Sequence, residues 1–197
     1  TSSTGGFVPG FGLTQFKGTK VQNIIISNNT TVEQFYEFKI DNASGVILGG
    51  NGQVEINNYL YLINGIITTN SVNLLTLTNN NPSIVIGGGS NSFVSGPLRK
   101  NISTGSYFNF PVGDGNRYGN IFISSVSTSG YYIAQYYNHN PYLDGFDPNS
   151  KVPPVDVVSN NEYWRIYGVS GSTAYVRVRW DSQSGTIPPD AASRLKL

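Results

Sequence analysis

The chain of 197 residues has no cysteine, no methionine and a single histidine, and charged side chains make up only 12% of it. Each shortage excludes something. Without cysteine there are no disulfides, no thiolate metal sites and no cysteine nucleophile. One histidine does not make a zinc site. A serine–histidine–aspartate arrangement would rest on His139 alone, which follows Tyr136-Tyr137-Asn138 where a strand pattern gives way to a loop. The 12 basic and 11 acidic residues nearly cancel to a net charge of +1, and the longest basic run is Arg99-Lys100. Nucleic-acid binding needs a basic stripe against the phosphates, so no nucleic-acid partner is expected. No stretch approaches the roughly 20 apolar residues of a membrane helix, so no membrane insertion is expected either. Between Asn42 and Leu98 the only charged residue is Glu55. Glycan-cleaving sites need grouped carboxylates, and one carboxylate cannot pair. The expectation is a protein that is not an enzyme, with no catalytic residue.

What replaces charge is Gly, Asn, Ser and Thr, residues that favour turns and caps over long helices. The hydrophobic fraction is 38%, and 23 glycines bring the chain into the ordinary globular range. The first residues, Thr1-Ser2-Ser3-Thr4, include no initiator, which suggests a processed product or a piece of something larger. Leu195-Lys196-Leu197 has the pattern of a strand cut off early.

No long stretch keeps helical spacing, whereas the strand period of two recurs throughout. Residues 1–19, with Phe7, Phe11 and Phe16 among glycines, suggest an N-terminal loop or cap. Residues 20–95 alternate short apolar runs with Asn and Gly turns: Ile24-Ile25-Ile26, Val46-Ile47-Leu48, Leu60-Tyr61-Leu62, Ile66-Ile67, Leu74-Leu75 and Ile84-Val85-Ile86. Gly45-Val46-Ile47-Leu48-Gly49-Gly50 matches Ser83-Ile84-Val85-Ile86-Gly87-Gly88 at an offset of 38, with Gly65-Ile66-Ile67 about halfway. A period near 19 with three short strands suits one turn of a parallel β-helix, with Asn at corners that tolerate left-handed backbone and can stack in ladders. An antiparallel sandwich with glycine-rich turns is the alternative. From Gly96-Pro97 the runs lengthen and alternate: Tyr107 to Pro111, Asn120 to Val126, Tyr131 to Tyr137, Glu162 to Tyr167 and Ala174 to Trp180. Half-buried antiparallel strands of this kind make a β-sandwich over residues 96–197. Its C-terminus is expected to be truncated or completed by a partner. Pro141, Pro148, Pro153 and Pro154 mark residues 138–159 as a long surface excursion. The fold class expected is therefore all-β: a short parallel β-helix, or solenoid, followed by an antiparallel β-sandwich.

Four blocks carry a family resemblance: Ser95-Gly96-Pro97-Leu98-Arg99-Lys100, Phe110-Pro111-Val112-Gly113-Asp114-Gly115-Asn116-Arg117-Tyr118, Glu162-Tyr163-Trp164-Arg165-Ile166, and Val178-Arg179-Trp180-Asp181. In order and spacing, over about residues 40–197, the chain resembles the very large repetitive surface proteins of Bacteroidota. These are commonly exported by type IX secretion, and some are adhesins in gliding motility. The resemblance implies a bacterial cell-surface or extracellular location and a stalk or adhesin role. It supplies no catalytic residues.

Two candidate sites remain. The outward face of the later strands would carry Tyr163, Arg165, Tyr167, Tyr175, Arg177 and Arg179. Aromatic rings with hydrogen-bonding neighbours suit a sugar or peptide ligand, while cross-strand Tyr and Arg pairs also stabilise a bare sheet. Asp144, Asp147 and Asn149 form a D-x-x-D-x-N loop whose oxygens could hold Ca²⁺, though Asp-Gly and Asp-Pro are also plain turn formers. No other cofactor is expected. Asn29, Asn42 and Asn101 each begin an Asn-x-Ser/Thr triplet, which is mute in a bacterial source. Three functions fit: a structural or stalk segment in adhesion or surface assembly, a carbohydrate-binding adhesin module, and a self-assembling filament or surface-layer subunit. The partners would be neighbouring domains, copies of the same chain, or a surface polysaccharide.

Overall fold

The computed structural model describes residues 10–26, 32–147, 149–150 and 158–185. Phe7, the Asn29 triplet, Pro148, Pro153, Pro154 and the Leu195-Lys196-Leu197 end lie outside the described residues. The protein is all-β and begins as a parallel solenoid of about four turns. The first turn contains β1 (Leu13–Lys17), β2 (Gln22–Ile26) and β3 (Val32–Phe35). The second contains β4 (Glu37–Asp41), β5 (Val46–Gly50) and β6 (Gln53–Ile56), and the third β7 (Leu60–Asn64), β8 (Ile67–Thr68) and β9 (Leu75–Leu77). The fourth contains β10 (Val85–Gly87), β11 (Val94–Ser95) and β12 (Leu98–Ile102). Equivalent strands pair in parallel register to make three faces. Face one is β1-β4-β7-β10, face two begins β2-β5-β8-β11, and face three begins β3-β6-β9-β12.

Alternation of side chains puts one apolar column inside each face. Val46, Ile67, Val94 and Val112 stack on face two, and Val54, Leu75 and Leu98 on face three, all with no exposed surface. Each turn thereby buries what its neighbour alone would leave wet, the general logic of a solenoid.

The repeat differs from the expected 19 residues. Partner registers advance by 21 from Val46 to Ile67 and by 27 from Ile67 to Val94. The two matched glycine frames are also not equivalent, because Val46–Gly50 lies on face two and Val85–Gly87 on face one. What they share is a corner. Gly50 and Gly87 have φ of +84° and +83°, and a Cβ there would sit 1.9 Å from the Ile26 carbonyl oxygen and 2.3 Å from that of Leu62. The frame recurs wherever a strand ends against the turn below, and such corners occur more than once per turn. Asn does not supply the left-handed corners, since Ser125 is the only non-glycine residue with positive φ among those described. Asn pins the corners with its side chain instead. Asn42, fully buried, donates to the Lys20 carbonyl at 2.8 Å and to Gln22 at 3.0 Å, while its own oxygen accepts from Ser44 N–H. Asn73 donates to the carbonyls of Gly50 and Gly52 in the turn below. Its burial closes Asn42 to any modification.

The expected boundaries also shift. Within residues 10–19, β1 is a full member of face one rather than loop. Past residue 96 the parallel ladder continues through β12, which pairs with β9, and on face two to β14 (Val112–Asp114), which pairs with β11. Gly96-Pro97 is a corner of the fourth turn, with Thr69 Oγ1 donating to the Pro97 carbonyl at 2.9 Å. Antiparallel strands then extend two of the three faces. Face two ends in a hairpin of β14 with β15 (Arg117–Tyr118), and face three is extended by β17 (Gly130–Tyr137) and β18 (Tyr163–Tyr167). A separate antiparallel sheet joins β13 (Phe108–Phe110), β16 (Ile121–Ser124) and β19 (Tyr175–Val178). Buried side chains from Ile26 to Tyr136 belong to one contiguous core, so the apolar interior is not divided at Gly96.

Candidate functional site

Three of the four sequence blocks meet in space at Arg117, which belongs to one of them and reaches Glu162 and Asp181 of two others. Its guanidinium grips Asp181 with two bonds of 2.8 and 2.9 Å, a bidentate geometry that lysine could not provide. Its Nε donates to the Tyr136 hydroxyl at 3.2 Å, and Nη2 lies 3.4 Å from Glu162 Oε2. Tyr136 donates to the same Glu162 oxygen. Glu162 is almost fully buried, and its other oxygen has no hydrogen-bond partner among the described residues. Beside it Trp164 packs 5.3 Å from the Tyr136 ring and donates its indole N–H to the Gly119 carbonyl at 3.0 Å. The bonds from Arg117 hold the Asp181 carboxyl below the ordinary range and raise the Arg117 guanidinium. Burial, then the bond to Glu162, raises the Tyr136 phenol. Asp181 is thus held ionised, Arg117 charged and Tyr136 neutral. The cluster ties β15, β17, β18 and the segment after β19 together.

The six outward residues expected to share one face divide between two sheets. Tyr163, Arg165 and Tyr167 lie on β18 at the edge of face three, whereas Tyr175 and Arg177 lie on β19, which pairs with β16 in the separate sheet. Arg179 follows β19 and is bound to Asp181 at 3.2 Å. The physical reason is connectivity: β18 and β19 are close in sequence but pair with different strands. Arg177 lies over the Phe122 ring at 4.6 Å, Arg179 lies 5.6 Å from that of Tyr118, and Tyr175 is 77% exposed.

The β18 half is the more elaborate. Tyr163 stacks on Tyr137 with rings parallel to within 1° and centroids 4.4 Å apart. His139 and Phe146 approach Tyr163 edge-on at 5.8 and 5.6 Å. Arg165 lies 5.4 Å from the Phe146 ring and 5.0 Å from that of Tyr167. Asp144 accepts from the Tyr163 hydroxyl, and its Oδ2 is 2.6 Å from His139 Nε2. Those two bonds hold the Asp144 carboxyl below its ordinary range, while burial, then the bond to Asp144, raises the Tyr163 phenol. The 3₁₀ turn Pro141–Asp144 presents this acid. Asn140 caps it by accepting from Tyr142 N–H, and Pro141 stands at its first position, where a missing N–H costs nothing.

Scans of the chain against family models, curated proteins and solved structures give no match.

The Asp144, Asp147 and Asn149 oxygens are differently engaged. Asp144 faces His139 and Tyr163, and Asp147 Oδ1 accepts from Asn149 N–H at 2.9 Å in a local turn. Among the described residues no three His, Cys, Asp or Glu side chains group as a metal site. His139 is not an isolated loop residue, since its Nδ1 also lies 3.8 Å from Asp114.

Two features went unread in the sequence. One is the Arg117 cluster, whose members are 45 and 64 residues apart. The other is Lys100, which lies fully buried with Nζ donating to the carbonyls of Asn79 and Asn101, 5.2 Å from the Phe108 ring. Alternation was the available signal. Arg99 and Lys100 are neighbours on a strand, so one of them had to point inward.

Proposed function

We propose that the chain is a structural segment of a large secreted cell-surface protein, acting as a stiff spacer in adhesion or surface assembly. The observation that carries this is the continuous core, which runs from the parallel turns into the antiparallel strands without a seam. A ladder of main-chain bonds backed by one core resists bending in a way that two modules on a linker do not. In this proposal the antiparallel strands form the β-sandwich expected from the sequence. Inward residues of β13 and β16, among them Phe110 and Ile121, share the core with Tyr132 and Ala134 of β17, as two sandwich layers would. The charge-poor interior turns support a passive role, since the Glu55 carboxylate accepts from Gln34 and lies 3.9 Å from Arg99 rather than beside a second acid. Neighbouring domains or further copies would stack on the first turn. Among the described residues β1, β2 and β3 each pair along one edge only, and Leu13, Ile25 and Val32 are exposed there.

Export by type IX secretion and a part in gliding follow from the resemblance alone. Antibody labelling of intact cells of the source organism tests the location. Labelling without permeabilisation is expected, and a signal that appears only after permeabilisation would contradict it.

A second reading, a carbohydrate-binding adhesin module, is favoured by the exposed aromatic row on β17 and β18.

A further inference from the structure

We propose that the outer surface of face three, across β12, β17 and β18, is a docking platform for an anionic polysaccharide whose sugars carry carboxylates. The inference rests on the adhesin reading above and gives it a ligand class and a site. On β17, Tyr132, Ala134 and Tyr136 are buried, so alternation turns Tyr131, Ile133, Gln135 and Tyr137 outward. Register places Tyr167 beside Ile133, Arg165 beside Gln135 and Tyr163 beside Tyr137. On the other side Arg99 lies beside Ile133. A row of outward side chains therefore crosses three strands spaced about 4.8 Å apart. That spacing is close to the advance of one pyranose in an extended polysaccharide.

The chemistry along the row suits such a chain. Tyr131 and Tyr167 are 46% and 49% exposed and offer ring faces on which sugar C–H groups stack. The two guanidiniums differ. Arg99 lies 3.9 Å from Glu55, donates to Thr76 and Gln53, and lies over the Tyr131 ring at 5.1 Å. Arg165 is flanked by the rings of Phe146 and Tyr167, and no carboxylate among the described residues forms an ion pair with it. The nearby acid, Asp144, is held by Tyr163 and His139. A planar cation flanked by rings, bonded to the Tyr137 side chain and in no ion pair among the described residues, can take a carboxylate with two parallel bonds. Two arginines, one already neutralised, are too few for a phosphate backbone, which rewards a run of cations. The platform is also too polar, with Gln135 on β17 and, beside Arg99, Gln53 of β6, for the apolar centre of a protein interface.

Affinity electrophoresis of the whole chain in gels containing polygalacturonate or neutral dextran tests the proposal, with thermal unfolding of each variant as the folding control. Retardation by polygalacturonate and not by dextran is expected. Arg165→Gln and Tyr167→Ala should each weaken it by about tenfold. Arg177→Gln, on the other sheet, should leave it within about twofold. Arg165→Lys, which keeps the charge and loses the fork, should fall between. Retardation by polygalacturonate that survives Arg165→Gln overturns the site. Retardation by dextran that is indifferent to Arg165 overturns this inference and leaves the adhesin reading standing. Retardation by neither polymer overturns both.

Discussion

Lys100 is the residue that most constrains the interior. Its ammonium is buried, and burial pushes its pKa down to about 8 from 10.5. Below the folded value the charge is present in both states and its desolvation counts against the fold. As pH rises from about 8 toward 10.5 the folded protein gives up the proton first, so stability increases with pH across that window. The gain is on the order of 2–3 kcal/mol. It should appear in urea unfolding at pH 7.5 and 9.5, and Lys100→Met should abolish the slope. A wild-type protein that is less stable at pH 9.5 would contradict the assignment. Arg117 poses the opposite case. Arg117→Ala would leave the buried Glu162 carboxyl with only Tyr136 to bond it among the described residues, a loss of about 3–5 kcal/mol. Urea titration measures this, and a loss below about 1 kcal/mol would show the cluster to be ornamental. The blocks that form this cluster were visible as motifs in the sequence. Their meeting was not, because nothing local records that Arg117 and Asp181 touch across 64 residues. The same limit explains why Tyr163 and Tyr175 were read as one face.

Strands and corners were more legible. The runs from Tyr107, Asn120, Tyr131, Glu162 and Ala174 fall on β13, β16, β17, β18 and β19, since alternation is a local signal. The short solenoid strands were recognised by their apolar triplets, but the period was not. The corner glycines obey a rule that applies wherever the chain passes close over the turn below, so matching frames on different faces imitated a repeat. Gly50→Ala tests that rule. The added methyl would meet the Ile26 carbonyl in a left-handed conformation, at a cost of at least about 1–3 kcal/mol. The buried asparagines form the other half of the corner. Asn42→Ala would strand the Lys20 carbonyl and the Ser44 N–H, costing about 1–3 kcal/mol. Thermal or urea unfolding checks both, and changes within about 0.5 kcal/mol would mean that the corners do not hold the turns.

Taken whole, the molecule is a short parallel ladder whose second and third faces are extended by antiparallel strands. The three parallel faces would expose β12 and β14 if the chain stopped there. Instead β17 pairs with β12 and β15 with β14, so two of the three faces pass their edge to antiparallel strands, while among the described residues face one ends at β10. That extension was hidden from the sequence, where the change of texture at Gly96 suggested a second unit. The texture changes because parallel strands buried in a solenoid give way to antiparallel strands with one wet face. The core does not change with it. The central claim, a continuous interior from the first turn to the last strands, bears on the spacer function because a seam would be a hinge. Single-molecule pulling between the two ends of the chain tests it most directly. The account predicts one rupture that releases the solenoid and the antiparallel strands together, and two separate ruptures dividing near Gly96 would contradict it.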